Sequence, residues 1–303
     1  MRPIKVGVQL PEVERPVSWQ ELKAMARKAE EIGLDSIWVG DHLMYRSAEG
    51  VARGPWEAWS LLSALAEATS TISLGPLVAA IGFHAPAMIA KKAATIDEIS
   101  GGRLILGLGA GWGEPEYLAY GFPYTNRASR FEEAYTIIRT LLSEGEIEFD
   151  GTFFQLKNCT LVPRGPRPSG PPLMVGSFGD RMLRATLPTV DGWNVFYGDY
   201  GNTREGLAPM LEKVDRICAE VGRDSKEIER SVAPLVRMTG GKGRPSGDPK
   251  MSMIAPISGE PETLAAELRA LAEMGIAHVQ LVLDPITIDS IAELAPMLAL
   301  LDQ

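Results

Sequence analysis

The stretch Ser36-Ile37-Trp38-Val39-Gly40-Asp41-His42 decides the reading of the fold. A short apolar run stands behind a helical segment and ends, without a spacer, in a carboxylic acid and an imidazole. Parallel α/β barrels deliver polar side chains in this way, at the carboxyl end of a buried strand where the active-site rim lies. An isolated Asp-His pair also arises as a helix cap or a surface ion pair. Repetition gives this one weight: strand, then polar or glycine-rich loop, then helix recurs along the whole chain.

Working outward, apolar runs of strand length occupy residues 5–10, 72–78, 104–108, 173–175, 192–195, 231–237 and 278–283. They are near-continuous, as strands buried on both faces require. Helical periodicity fills the gaps. Residues 19–32 place Leu22, Met25, Ala26, Ala29 and Ile32 on one face, and residues 263–274 do the same with Leu264, Leu268, Leu271 and Met274 before Gly275. Ser18 with Glu21 matches a capping box, as more loosely does Glu262 behind Pro261. Eight strands alternating with helices favour one (β/α)8 TIM barrel over residues 1–303. Two insertions interrupt it: a β-hairpin within residues 145–165, turning at Gly151, and a Gly/Pro/Lys/Ser-rich loop over residues 240–256.

Composition narrows the function. With 30 Lys and Arg against 39 Asp and Glu, the net charge of −9 argues against nucleic acid or an anionic membrane as partner. Cys159 and Cys218 belong to no paired motif, so neither a disulfide framework nor a metal site is expected, and a reducing cytoplasm is the default location. Residues 68–90 are uncharged and long enough to span a bilayer, but Gly75, Pro76, Gly82, His84 and Pro86 read as strand, loop and helix start.

Three constellations carry candidate chemistry. His42 has the residue type for proton transfer near neutral pH, with Asp41 to orient it or a ligand. Residues 104–116 run from a strand through Gly107, Gly109 and Gly111 to Trp112 and the acids Glu114 and Glu116. Such glycines admit a flat ligand or a phosphate close to the backbone. They lack the Rossmann spacing, and Glu114 is the candidate general acid. Residues 171–179 end a strand in Gly176-Ser177-Phe178-Gly179, a junction able to cradle a phosphate on backbone amides. Trp193 reads as core and Asn194 as rim. His84 suits either a pocket wall or a helix cap, and His278 a structural position. Arg127 and Arg130 read as a solvated helix face, and Lys242, Arg244 and Lys250 as solvated loop charges.

Together these segments resemble the luciferase-like monooxygenase superfamily, in particular its coenzyme F420-dependent branch. The resemblance is carried by residues 36–42, by Ser100-Gly101-Gly102-Arg103 with residues 104–116, by residues 130–133, by residues 171–179 and by residues 191–194. Gly40-Asp41-His42 directs the choice of branch. The resemblance implies a TIM barrel with F420, or alternatively FMN, at the strand carboxyl ends. It places Asp41 against the ring, makes His42 and Glu114 the acid/base groups, and gives Gly111 and Trp112 ring contacts. Gly176, Ser177, Phe178 and Gly179 would hold the phosphate end. A non-prolyl cis peptide would fall at Leu77-Val78 or Val78-Ala79. The implied function is hydride transfer to or from a small organic substrate, in a homodimer. The FMN alternative is a two-component monooxygenase with a partner flavin reductase, and a non-catalytic flavin-binding protein is the third reading. Two positions depart from the pattern: Gly113 where many relatives carry Asn, and Ser177 where many carry Gly.

Overall fold

The computed structural model describes residues 2–46, 50–244 and 251–303. Eight barrel strands follow in chain order: β1 (Lys5–Gln9), β2 (Ser36–Val39), β3 (Ser73–Pro76), β4 (Leu106–Gly109), β5 (Leu173–Gly176), β6 (Gly192–Phe196), β7 (Glu229–Ala233) and β8 (His278–Asp284). Every pairing among them is parallel, in the order β3-β2-β1-β8-β7-β6-β5-β4. The continuation of the third strand, Ala79–Ala80, pairs with Leu108 and Gly109 and so returns the ladder to its start. The third strand thus meets β2 before the Leu77-Val78 peptide and β4 after it, and that peptide is cis. The expected barrel is present, with near-continuous apolar runs buried from both sides.

Two strands differ in detail from the sequence expectation. Residues 231–237 form two pieces, β7 and Leu235–Arg237, which hold one register against β8. The break falls at Pro234, which has no N–H to donate. Residues 104 and 105 precede β4, although Leu104 still bridges Leu74.

Helices α1 (Trp19–Glu31), α2 (Ala58–Ala68) and α3 (Pro86–Ser100) cover the first strands. Ser18 caps α1 by accepting from the Glu21 N–H, but the Glu21 carboxylate turns to Arg15, so the capping box is one-sided. Glu262 closes no box either, because its helix (Pro261–Glu273) has no side-chain cap bond. The hairpin is present as Glu146–Asp150 against Gln155–Thr160. Within the loop 240–256, residues 245–250, Lys250 included, lie outside the described residues. No helix among the described residues is long and apolar enough to cross a membrane.

The amino-terminal end of the barrel is tied by polar networks that serve stability. Arg103 donates to the Ala66, Thr69 and Ile72 carbonyls and so closes the end of α2. His278, as expected, is structural: it sits 2.7 Å from Ser36 Oγ and 3.3 Å from Glu229 Oε1. The His278 and Lys5 partners outweigh the desolvation of Glu229 and hold its carboxyl down at about 2.

Candidate active site

A cavity of about 470 Å³ opens at the carboxyl ends of the strands. Its wall takes Gln9 from β1, Asp41 and His42 after β2, Leu77 and Val78, residues 109–112, residues 176–178 and residues 194–196. This is the face on which barrels of this type assemble reactive groups.

His42 is held from behind. Its Nδ1 lies 2.9 Å from Glu116 Oε1, and the second Glu116 oxygen accepts from the Leu43 N–H at 2.9 Å. The bond to a carboxylate fixes Nδ1 as the protonated nitrogen and leaves Nε2 as the ring nitrogen without a partner among the described residues. Burial opposes the imidazolium, yet the Glu116 hydrogen bond and the charges of Glu12, Glu116 and Asp41 outweigh it, so the His42 pKa is raised.

Asp41 is also fixed. Its Oδ2 accepts from the Ala80 N–H and lies 2.9 Å from His84 Nε2. His84 in turn lies 3.1 Å from the Trp59 indole nitrogen. The loop histidine left open between pocket and cap is therefore the partner of the buried acid.

Gly40 is required by a packing contact. A Cβ there would lie 1.3 Å from Glu12 Oε1, so the glycine makes room for the Glu12 carboxyl behind the Asp41-His42 pair. Glu12 is buried and pairs with Arg244 Nη2 at 3.1 Å, while Arg244 Nε also meets Glu14. Burial, with the nearby Glu14, raises the Glu12 pKa against the opposing pull of His42 and Arg244. Arg244 itself is desolvated, but Glu14, Glu12 and Tyr197 hold its pKa well above the usual value.

The glycines along β4 and β5 likewise serve a neighbour. A Cβ on Gly107, Gly109 or Gly176 would come within 2.9 Å of the Val78 side chain. These residues thus seat Val78 in the cavity wall. Gly111 has φ of +73°, and a Cβ there would strike the Tyr117 hydroxyl, which donates to the Ala110 carbonyl. After β5, Trp193 is core as expected, and its indole N–H fixes the Ser177 carbonyl at 2.7 Å.

The structure redraws several candidates. Glu114 is exposed on the first turn of α4 (Glu114–Ala119) and takes no part in the cavity wall. Two residues along a helix turn a side chain by about 200°, so Glu116 carries the acid to His42 instead. Ala79 is buried in the ladder to β4, outside the cavity wall, and Gly179 caps the next helix just beyond the wall. Arg244, read as a solvated charge, is only 6% exposed and lines the cavity. Arg127 and Arg130 border a second pocket and lie over the Tyr124 and Phe153 rings. Asn194 lies in the wall and donates to Ser231 Oγ and Gln280 Oε1, so it is more deeply placed than a rim residue. Sequence reasoning missed Gln9, Glu12, Tyr45, Glu116 and Asp199. Only Glu116 had a local signal, its place beside the glycine run. No cluster of His, Cys, Asp and Glu able to hold a metal occurs among the described residues.

Comparison with known proteins places this geometry. The model of the family described as luciferase-like monooxygenase matches residues 4–239. The 5,10-methylenetetrahydromethanopterin reductase of Archaeoglobus fulgidus is 33% identical over 176 residues, 58% of this chain and 49% of that protein. The chain spans about half the length of that relative. The F420-dependent glucose-6-phosphate dehydrogenase of Amycolatopsis mediterranei is 28% identical over 294 residues, 86% of this chain and 87% of its own. Among solved structures, an F420-dependent secondary alcohol dehydrogenase in complex with an F420-acetone adduct superposes with a TM-score of 0.80 at 19% identity, covering 98% of both chains. At that identity the likeness concerns the fold.

Proposed function

The chain belongs to the luciferase-like monooxygenase family, and from that premise we propose that it is a coenzyme F420-dependent oxidoreductase, transferring a hydride between the deazaflavin and a small organic substrate. The observation that carries the reading is His42 in the cavity wall, its Nδ1 held by Glu116 and its Nε2 left for a reacting group. The F420-dependent relatives supply the choice of cofactor. A homodimer and a cytoplasmic location belong to the same reading, from the resemblance and the cysteine-poor composition.

The residues present fit such a ring. Gln9 Oε1 is buried in the cavity wall without a hydrogen-bond partner among the described residues. A ligand bringing a ring N–H or a phenolic O–H would satisfy it, as a buried acceptor requires. Asp41, Leu77, Val78, Gly111 and Trp112 would hold the ring, and the turn at Gly176, Ser177 and Phe178 would meet the phosphate end.

When bound, the deazaflavin supplies or accepts the hydride. His42 moves the accompanying proton at Nε2, and its raised pKa favours the acid form relative to a free imidazole. Glu116 keeps the proton on Nδ1 in both charge states, so only Nε2 changes. Asp41 is held away from His42 by Ala80 and His84, which leaves the two side chains separate roles. The walls of Val13, Met182, Val195 and Phe196 limit water.

The test is turnover. Alcohols, ketones, aldehydes and activated alkenes are screened with oxidised or reduced F420, followed by cofactor absorbance, for wild type and His42→Ala. A fall of about 10²-fold or more in kcat with unchanged cofactor affinity is expected for loss of a general acid/base. Equal turnover by His42→Ala removes that role. Oxygen uptake with reduced FMN and no F420 turnover would move the protein to the monooxygenase reading.

A further inference from the structure

Charge in the cavity restricts what can react there. Among the described residues the ionisable groups of its wall, tyrosine aside, are Glu12, Asp41, Asp199, His42 and Arg244, so three carboxyls face one guanidinium and one imidazole. The guanidinium is already spent between Glu12 and Glu14, with Nη1 3.4 Å from the Tyr197 hydroxyl. His42 is likewise backed by Glu116. Neither cation is left uncompensated for an anionic substrate. The wall also carries the apolar side chains Val13, Met182, Val195, Phe196 and Met251.

The geometry points to an uncharged substrate with an apolar body, and to Glu12 as the residue that sets this charge preference. This rests on the oxidoreductase reading for the reaction but not for the selectivity itself. Glu12 acts in two ways. It adds a carboxyl to the wall, and it occupies Arg244, which would otherwise be the natural seat for a carboxylate or phosphate. Its carboxyl lies directly over Gly40, where a Cβ would come 1.3 Å from Oε1, which sets it against the Asp41-His42 backbone. Desolvation pushes the Asp199 carboxyl up to about 6, so it carries its charge at pH 7.5.

The experiment is calorimetric titration of the full chain at pH 7.5 with benzylacetone and with the keto acid in which its methyl group is replaced by a carboxylate. The ketone is expected to bind at least about tenfold more tightly, the effect of one like charge at close range in a partly buried site. Glu12→Gln removes one wall carboxylate and the charge partner of Arg244 Nη2, leaving only Glu14 on Nε, and should narrow or reverse the ratio. Asp199→Asn, at the outer wall, should narrow it less. Equal affinities, tighter binding of the keto acid, or binding of neither probe overturns the proposal, as does a ratio unmoved by Glu12→Gln in a folded variant. F420 is titrated into the same samples. Selectivity without F420 binding sinks the cofactor reading alone, and F420 binding without selectivity sinks this inference alone.

Discussion

Glu116→Gln removes a charge from behind His42 while keeping the side-chain shape that leans over Gly113. The carboxylate lies 2.9 Å from Nδ1 and is 3% exposed, so solvent screens the pair little. A hydrogen bond to a charged partner contributes about 1.5–3 kcal/mol and a neutral one about 1, a difference of about 0.5–2 kcal/mol. That corresponds to a fall of about one unit in the His42 pKa. The amide adds a second effect. If its oxygen keeps the Leu43 N–H, its NH₂ faces Nδ1, which must then accept, and the neutral ring carries its proton on Nε2 instead. The assay is NMR titration of histidine-labelled protein, readable because the chain has only three histidines. Stability should follow the same sign. A pKa raised on folding stabilises the protein fully below the unfolded value of about 6.5, and that contribution is lost as pH rises through the folded value. The deficit of Glu116→Gln should therefore be largest near pH 5–6.5 and shrink in alkali. A His42 titration unmoved by the substitution would refute the reasoning.

Other substitutions probe the frame around the site. Gly107→Ala brings a Cβ within 2.3 Å of the Pro76 carbonyl and 2.9 Å of Val78; because backbone cannot yield as a side chain does, a loss of about 2–3 kcal/mol is expected in chemical denaturation. Asp97→Asn breaks the paired bonds to Arg167 and weakens acceptance from the Leu104 N–H. Arg167 is 30% exposed, so the cost should be about 2 kcal/mol, below that of a fully buried pair, read as a lowered Tm. Asp199→Asn should leave stability unchanged below about pH 4 and raise it above pH 6, since the native carboxyl titrates at about 6 and its ionisation is disfavoured by desolvation. A pH-independent Tm difference would contradict that assignment.

The barrel was legible because each strand is an apolar run fenced by turn residues, and Ser36–Val39 coincides with β2 to the residue. The hairpin was legible through its alternation about Gly151, and the cis peptide at Leu77-Val78 through the resemblance. The site was legible only where strand ends deliver it, at Asp41, His42, residues 111–112 and residues 176–178. Glu114 was named and Glu116 passed over because which of them reaches His42 depends on helical phase, which a glycine-rich approach conceals. Arg244 was misread because its partners, Glu12 and Glu14, lie about 230 residues away in the chain. The glycines of β4 announced a close approach correctly, but a sequence does not say that the approaching group is Val78.

Side-by-side fluorescence titration of the protein with F420 and FMN tests the proposed chemistry most directly. Saturable binding of F420 in the cavity, weakened by enlarging Gly111 and far tighter than that of FMN, is the result predicted. Preferential binding of FMN, or binding of neither, would contradict it.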